Sequence, residues 1–303
     1  MSYKDILYEV TEPVATITFN RPEVMNALSP DTEAELYAAL DEADVDDSVR
    51  VIILTGAGRA FSSGYDIGGR RPDGGDTPDA PEAAPKRRRR PTFPDPPGEI
   101  IQSWWRNDLD NIQKLMHLAY LHKPVIAAVN GWCLGGGFWY ALISDITIAS
   151  ENAVFGQPEV RMIANTSYLL VALCGWKVAS RFALTGDHID AAEALRVGIV
   201  NEVVPHDQLM ARAMQLAQRI AMVPEPAVRY AKAVTFLGLE AAGLRSGLVV
   251  NAALSSLVHS SWIPERAVLE AAMENGGLQA FLKERDDRFR PEPFGPRSKP
   301  KSD

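Results

Sequence analysis

Two short apolar runs, each ending in a glycine-rich turn, limit what this chain can fold into. Val51-Ile52-Ile53-Leu54 leads into TGAGRAFSSGYDIGG, and Val125-Ile126-Ala127-Ala128-Val129 leads into NGWCLGGGFWY. A continuous apolar run of this length reads as a strand covered on both faces, the pattern of a parallel sheet. Glycine at the turn removes the Cβ that blocks close approach, and a helix starting there presents unpaired N–H groups. Gly135, Gly136 and Gly137 stand where Phe138 opens such a helix, and Ser63-Gly64-Tyr65-Asp66 is a second such end. One glycine turn alone is explained by tight strand-to-helix packing. Two, each after a buried strand, favour a pair of amides converging on one oxygen, an oxyanion hole.

The surrounding pattern is α/β. Val14 to Phe19 (VATITF) alternates as a strand, and Asn20-Arg21-Pro22 breaks it. A helix is expected from about Ser29, with Asp31 and Glu33 in its first turn and Leu36, Leu40 and Val45 on one face. Phe138 to Ile143 reads as a helix and Ile146 to Ala149 as a strand. The repeating unit is strand, strand, helix, which points to stacked sheets. From Asp207 the chain reads as helices over 207–222, 225–245 and Pro264 to Phe289, a C-terminal region suited to self-contacts. The expected division is a core over 1–205, a helical region over 206–290 and a tail over 291–303.

Arg70 to Gly98 breaks the pattern. It holds eight of the 21 prolines, an acidic half (Asp73, Asp76, Asp79, Glu82) and a basic run, Lys86 to Arg90. Such a stretch buries too little apolar surface to offset an ordering entropy of roughly 1–2 kcal/mol per residue, so a mobile insertion is expected. Glu99 to Leu121 then carries Ile101, Trp104, Trp105, Leu109, Ile112 and Met116 at helical spacing.

The net charge of -8 argues against a general nucleic-acid binder, although the Lys86-to-Arg90 run offers partners for RNA or for phosphate. Two cysteines, Cys133 and Cys174, make no disulfide framework, so a reducing cytoplasm is expected. MSYKDILYEVTEP lacks the apolar stretch of a secretory signal, and no run reaches bilayer-spanning length. The five histidines lie at no ligand spacing with cysteine or carboxylate, and no metal site is expected. Two lookalikes fail. VIILTGAGRAF has Phe61 where a dinucleotide fingerprint needs its third glycine, and Ser62-Ser63-Gly64 lacks the first glycine of a nucleophile elbow.

The ordered succession of motifs resembles the crotonase (enoyl-CoA hydratase/isomerase) superfamily. Asn20-Arg21-Pro22 and Asn26-Ala27-Leu28 come first, followed by Ala60-Phe61-Ser62-Ser63-Gly64-Tyr65-Asp66. Lys123 to Gly131, Gly135 to Gly137, Asp145 and Phe155-Gly156-Gln157-Pro158-Glu159 come next. Leu184 to Asp187, Ala191 to Ala194 and Gly198-Ile199-Val200 complete the series, from about residue 10 to about residue 290. The resemblance implies a spiral of ββα units with a C-terminal helical trimerisation region, assembled as a trimer or a dimer of trimers. It implies an acyl-CoA or enoyl-CoA thioester substrate, coenzyme A entering only as part of it.

Carried over residue by residue, the resemblance assigns the oxyanion amides to Tyr65 and Gly136 and the general acid/base to Glu159. The position of the second hydratase carboxylate is Trp139. Trp139, Tyr168, Asn165 and Trp105 are then candidates for the acyl pocket. Val24 and Met25 would line the pantetheine, and backbone around Ser63 and Asp66 would meet the adenine. Lys283, with Arg285 and Arg288, would lie near the CoA phosphates. Arg161 is expected at the surface, with pairing to Glu159 or to a substrate carboxylate as the alternatives. Ile163 and Thr166 replace the family's usual glycine and proline. Ser167 stands where some dehalogenases and dienoyl isomerases place an aspartate, which lowers those activities. With one carboxylate, hydration, a double-bond shift and a lyase reaction stay open, as do a CoA-binding homologue without activity and an RNA-binding one.

Overall fold

The structure is a computed structural model and describes residues 3–67, 97–162, 168–261 and 263–295. The chain opens with an antiparallel pair, β1 (Ile6–Thr11) and β2 (Val14–Phe19), then α1 (Pro30–Val45). Ser29 caps α1 by accepting the Thr32 amide at 3.0 Å. Three strand–strand–helix turns follow. They are β3 (Val51–Gly56), β4 (Ala60–Ser62) and α2 (Pro97–Tyr120); β5 (Val125–Val129), β6 (Trp132–Leu134) and α3 (Gly136–Ile143); and β7 (Ile146–Ser150), β8 (Val154–Gly156) and α4 (Leu169–Thr185). β9 (Ile189–Asp190), α5 (Ala191–Arg196) and β10 (Glu202–Val204) complete the core. α6 (Leu209–Ala221), α7 (Glu225–Ala241), α8 (Leu244–Ser260) and α9 (Pro264–Asp286) form the C-terminal region.

Within each turn the first strand joins one sheet and the second joins the other. One sheet runs β1-β2-β3-β5-β7-β10 and the other β4-β6-β8-β9. β3, β5 and β7 are parallel, with Ile53 against Ile126 and Ile126 against Ile146. Covered on both faces, they carry the uninterrupted apolar runs read from the sequence. Leu209, Ala213 and Ala217 of α6 cover the outer face of the larger sheet, and α1, α2 and α3 pack into the core between the sheets. This is the expected α/β spiral of ββα units. The strands over VATITF, VIIL, VIAAV and ITIA and the helix over 99–121 stand where they were expected. The expected mobile insertion lies outside the described residues up to position 96, while Pro97 and Gly98, expected within it, open α2. α8 was not foreseen. It packs along α2, which its sequence shows only as a broken apolar stripe.

Lys232 of α7 ties the helical region to the core. It is 8 % exposed and donates to Asp145 Oδ2 at 2.8 Å and to the Lys123 carbonyl at 3.0 Å. Asp145 Oδ2 also accepts the Val125 amide at 2.8 Å, at the first residue of β5. Removing the ammonium leaves a carboxylate without its partner at a partly buried site. Lys232→Met should lower unfolding free energy by about 1–2 kcal/mol in denaturant titrations, with a smaller change if Asp145→Asn is already present.

Candidate active site

The smaller sheet decides where the functional groups meet. β4 pairs parallel with β6 (Ala60 with Trp132, Ser62 with Cys133), and β6 pairs parallel with β8 (Cys133 with Phe155, Leu134 with Gly156). Their carboxyl ends are therefore neighbours. They release Ser63–Asp66, Gly135–Gly137 and Gln157–Glu159 side by side, at the end of parallel strands where ligands characteristically bind. Gly135 extends the ladder by donating to the Gly156 carbonyl at 3.0 Å.

The glycines are required by contact. A Cβ on Gly64, at φ +92°, would meet Leu134 O at 2.9 Å and Gly136 N at 3.2 Å. A Cβ on Gly136 would meet the Tyr65 ring at 2.8 Å, and one on Gly135 would lie 2.3 Å from Glu159 Oε1. The two sequence-predicted turns thus touch, and the carboxylate lies against the second. Neither the Tyr65 nor the Gly136 amide has an acceptor among the described residues. Gly136 is the first residue of α3, where unpaired N–H groups and the helix dipole favour negative charge.

Glu159 sits in a one-turn 3-10 helix, Pro158–Arg161, directly after β8. Its Oε2 is closed off from water and unpartnered among the described residues. Burial pushes its carboxyl up to about 7, opposed by a backbone hydrogen bond and by the positive charge of Arg285. Burial also pushes the Tyr65 phenol well above its ordinary 10, assisted by the charges of Glu33, Glu159 and Asp108. Tyr65 therefore keeps its proton throughout the range in which Glu159 titrates.

Two acids near this phenol were not read from the sequence as site residues. Glu33 is 4 % exposed and holds Lys114 Nζ at 2.8 Å and the Tyr140 hydroxyl at 2.7 Å, Tyr140 meeting Tyr37 at 2.9 Å. Asp108 lies on α2, one turn after Trp104 and Trp105, with Oδ2 3.8 Å from His259 Nδ1 of α8. An aspartate on an otherwise apolar helix face was the available signal. Trp104 stacks on the His259 ring at 3.9 Å between centroids.

Trp139, on the first turn of α3, is 7 % exposed and packed into the main core. Trp105 and Tyr168 are partly buried against the same core, and the Tyr168 ring fills the space beside Gly247 of α8. Asn165, Ile163, Thr166 and Ser167 lie outside the described residues. Val24 is exposed, and Met25, at φ +56°, ends the one-turn helix Pro22–Val24. This loop is laced to the first glycine turn. Ser63 N donates to Met25 O at 2.9 Å, Leu28 N to Gly64 O at 2.8 Å, and Asp66 N to Leu28 O at 3.0 Å. At Ser63 and Asp66, where the resemblance places adenine, both amides are engaged within the protein, and the Asp66 carboxylate is paired with Arg21 at 3.2 Å. Lys283 stands on an exposed face of α9, paired with Asp287.

Arg161 and Arg285 are not at the surface. The Arg161 side chain is fully buried and reaches Glu292 Oε1 at 2.8 Å, with Asp187 and Asp286 each at 3.3 Å. Arg285 grips Asp286 with two bonds of 2.9 Å. His188 donates its amide to Glu292 Oε2 at 3.1 Å, and its Nδ1 lies 2.8 Å from the same oxygen. Burial raises the Glu292 carboxyl, but His188 and Arg161 override it and hold the group at about 2. The sequence placed these partners too far apart to be seen. Four histidines, His117, His122, His188 and His259, do meet carboxylates across the fold (Asp41, Asp44, Glu292 and Asp108).

The family profile described as enoyl-CoA hydratase/isomerase matches residues 9–81 and 101–290. The chain belongs to this family, the crotonase superfamily. A probable enoyl-CoA hydratase of Rhizobium meliloti is 37% identical over 252 residues, covering 81% of this chain and 87% of the relative. An enoyl-CoA hydratase/isomerase structure from Xanthobacter autotrophicus Py2 matches with a TM-score of 0.80 at 31% identity, covering 95% and 99% of the two chains. A monofunctional enoyl-CoA isomerase from M. smegmatis matches with a TM-score of 0.59 at 33% identity, covering 80% and 97%.

Two outcomes test the site. Gly135→Ala should displace the Glu159 carboxylate and lower kcat by more than tenfold while CoA affinity, read by calorimetry, stays within about threefold. Because the Glu159 carboxyl is raised from 4.5 to about 7, its ionisation costs stability as pH rises through that window. Glu159→Gln should therefore match the parent protein below pH 4.5 and exceed it above pH 7, by at most about 3 kcal/mol in denaturant titrations.

Proposed function

We propose that this chain moves the double bond of an enoyl-CoA thioester through an enolate, with Glu159 as the proton carrier. The observation that carries this reading is one carboxylate where hydration uses two. Glu159 lies against Gly135, and position 139 holds a buried tryptophan. In this reading the thioester oxygen accepts hydrogen bonds from the Tyr65 and Gly136 amides, a hole in which one donor is worth on the order of 3–4 kcal/mol. Ionised Glu159 removes a proton from C2 of a 3-enoyl-CoA, and the electron pair moves onto the thioester oxygen. When the enolate collapses, the double bond forms between C2 and C3, and protonated Glu159 returns the proton to C4. No atom is gained or lost. A carboxyl titrating at about 7 is suited to both the taking and the giving. Trp139 fills the place from which a second carboxylate would hold water.

The similarity to the M. smegmatis isomerase supports the shift. The description of the Rhizobium relative as a probable enoyl-CoA hydratase supports hydration as the second reading. Tyr230, Val234 and Leu237 of α7, with Val250, Leu254 and Leu257 of α8, are exposed apolar side chains that support self-association into a trimer or hexamer. Among the described residues no single helix is long and apolar enough to cross a membrane.

Short, long, branched and aromatic 2- and 3-enoyl-CoAs, with products followed by mass and double-bond position, test the reading. Unchanged mass with a moved double bond is expected, gain of water would replace the shift by hydration, and loss of a fragment would indicate a lyase. Glu159→Gln should reduce turnover by about 10²–10⁴-fold with CoA binding retained. Trp139→Glu should raise hydration at least tenfold.

A further inference from the structure

The loop before α1 and the first glycine turn meet in a one-residue parallel bridge, Leu28 with Tyr65. Leu28 N donates to Gly64 O at 2.8 Å, and Asp66 N donates to Leu28 O at 3.0 Å. In such a bridge the residue between the two bonds turns its own N–H to the opposite side. The Tyr65 amide therefore faces away from the loop. The second glycine turn touches this stretch, since a Cβ on Gly64 would meet Gly136 N at 3.2 Å and one on Gly136 would meet the Tyr65 ring at 2.8 Å. The bridge thus decides where the Tyr65 N–H points, and two backbone bonds are a short ladder on which to hold that direction.

One side chain spans the bridge. Arg21 Nη1 donates to the Ala27 carbonyl at 2.7 Å, one residue before Leu28. Its Nη1 and Nη2 each lie 3.2 Å from Asp66 Oδ2, one residue after Tyr65. The guanidinium is largely buried, and Nε faces Asp5 Oδ2 at 3.7 Å, a carboxylate oxygen that also accepts the Thr32 hydroxyl at 2.8 Å. Arg21 is placed in turn by Asn26, whose Oδ1 accepts the Arg21 amide at 2.9 Å. Buried Asn26 donates to the Ala57 and Ala60 carbonyls at 2.9 Å and 2.7 Å, which fixes the loop to the connection between β3 and β4. A planar guanidinium reaches several acceptors in fixed directions at once, which a lysine ammonium does not match.

We propose that Arg21 is a positioning residue for the oxyanion hole. By joining the Ala27 carbonyl to the Asp66 carboxylate across the Leu28–Tyr65 bridge, it holds the Tyr65 N–H on the thioester oxygen. The proposal rests on the thioester reading of the site and adds to it what aims one of the two donors. Arg21 touches no reacting atom in this role. A donor that drifts from the place where charge develops loses its effect on the reaction, because such a hole acts through preorganised position. A role in CoA binding alone would raise KM and leave kcat unchanged.

Butanoyl-CoA isotope-labelled at the thioester carbonyl tests this in difference infrared spectra of the full chain. It has no double bond to shift or hydrate, so proton transfer by Glu159 does not enter. Binding to the parent protein should lower the carbonyl stretch, because hydrogen bonds polarise the C=O bond. At saturating ligand Arg21→Met should lose about half or more of that lowering. With the enoyl-CoA that the parent turns over, its kcat should fall by on the order of tenfold to a hundredfold. Arg21→Lys should recover part of both effects. Asp66→Ala, which cuts one arm of the fork, gives the same reading if Arg21→Met does not fold. A carbonyl frequency as low in the folded variant as in the parent, or a raised KM with kcat held, overturns the proposal and leaves the hole intact. A parent protein that leaves the stretch at its value in water removes the hole itself, and the thioester reading with it.

Discussion

The site depends on the parallel register of three short strands. β4, β6 and β8 are three residues each, yet their pairing brings three separate stretches of sequence to one edge. Each strand ends within one residue of its neighbour's end, so the turns emerge side by side and in contact. A shift of one residue in either pairing would turn alternate side chains to the opposite face and carry the glycine turns away from one another. The larger sheet fixes this register from behind, because each of its central strands continues within a few residues into a strand of the smaller one.

Electrostatically, the site joins an acid that resists ionisation to a group of ions that do not. Glu159 lies among apolar and glycine surfaces and is held near neutrality. Two residues on, Arg161 is paired with Asp187, Asp286 and Glu292, and Asp286 is gripped in turn by Arg285 of α9. A buried guanidinium with good partners keeps its charge, and it holds the turn by several directional bonds at once. The turn that carries Glu159 is therefore anchored by bonds that do not involve the Glu159 carboxylate itself.

How far the sequence foretold this varies with sequence distance. Strands such as VIIL and VIAAV were legible because burial on both faces writes itself into consecutive residues. Gly64, Gly136 and Glu159 were legible because each lies beside a strand end with a distinctive neighbour. Trp139 was visible as a departure at a known place. Arg161 was misread, since its partners stand 26 and more residues away and nothing local distinguishes a buried arginine from an exposed one. Arg285 was misread for a related reason, because a basic helix end looks alike whether it faces phosphate or Asp286. Asp108 was overlooked although its helix was recognised, because helical spacing was searched for apolar residues and not for the polar one among them.

The buried pairing of Arg161 also has a consequence for the order in which the molecule is completed. The turn bearing Glu159 is made when little more than half of the chain exists, but its guanidinium has no Glu292 to meet until far later. Burying this guanidinium against Asp187 alone is costlier than burying it against all three carboxylates. During synthesis the core can thus stack its sheets and still leave this edge open. The last-made segment then closes it, so that a chain truncated before residue 286 would carry both glycine turns and Glu159 yet keep only Asp187 of the three carboxylates that meet Arg161.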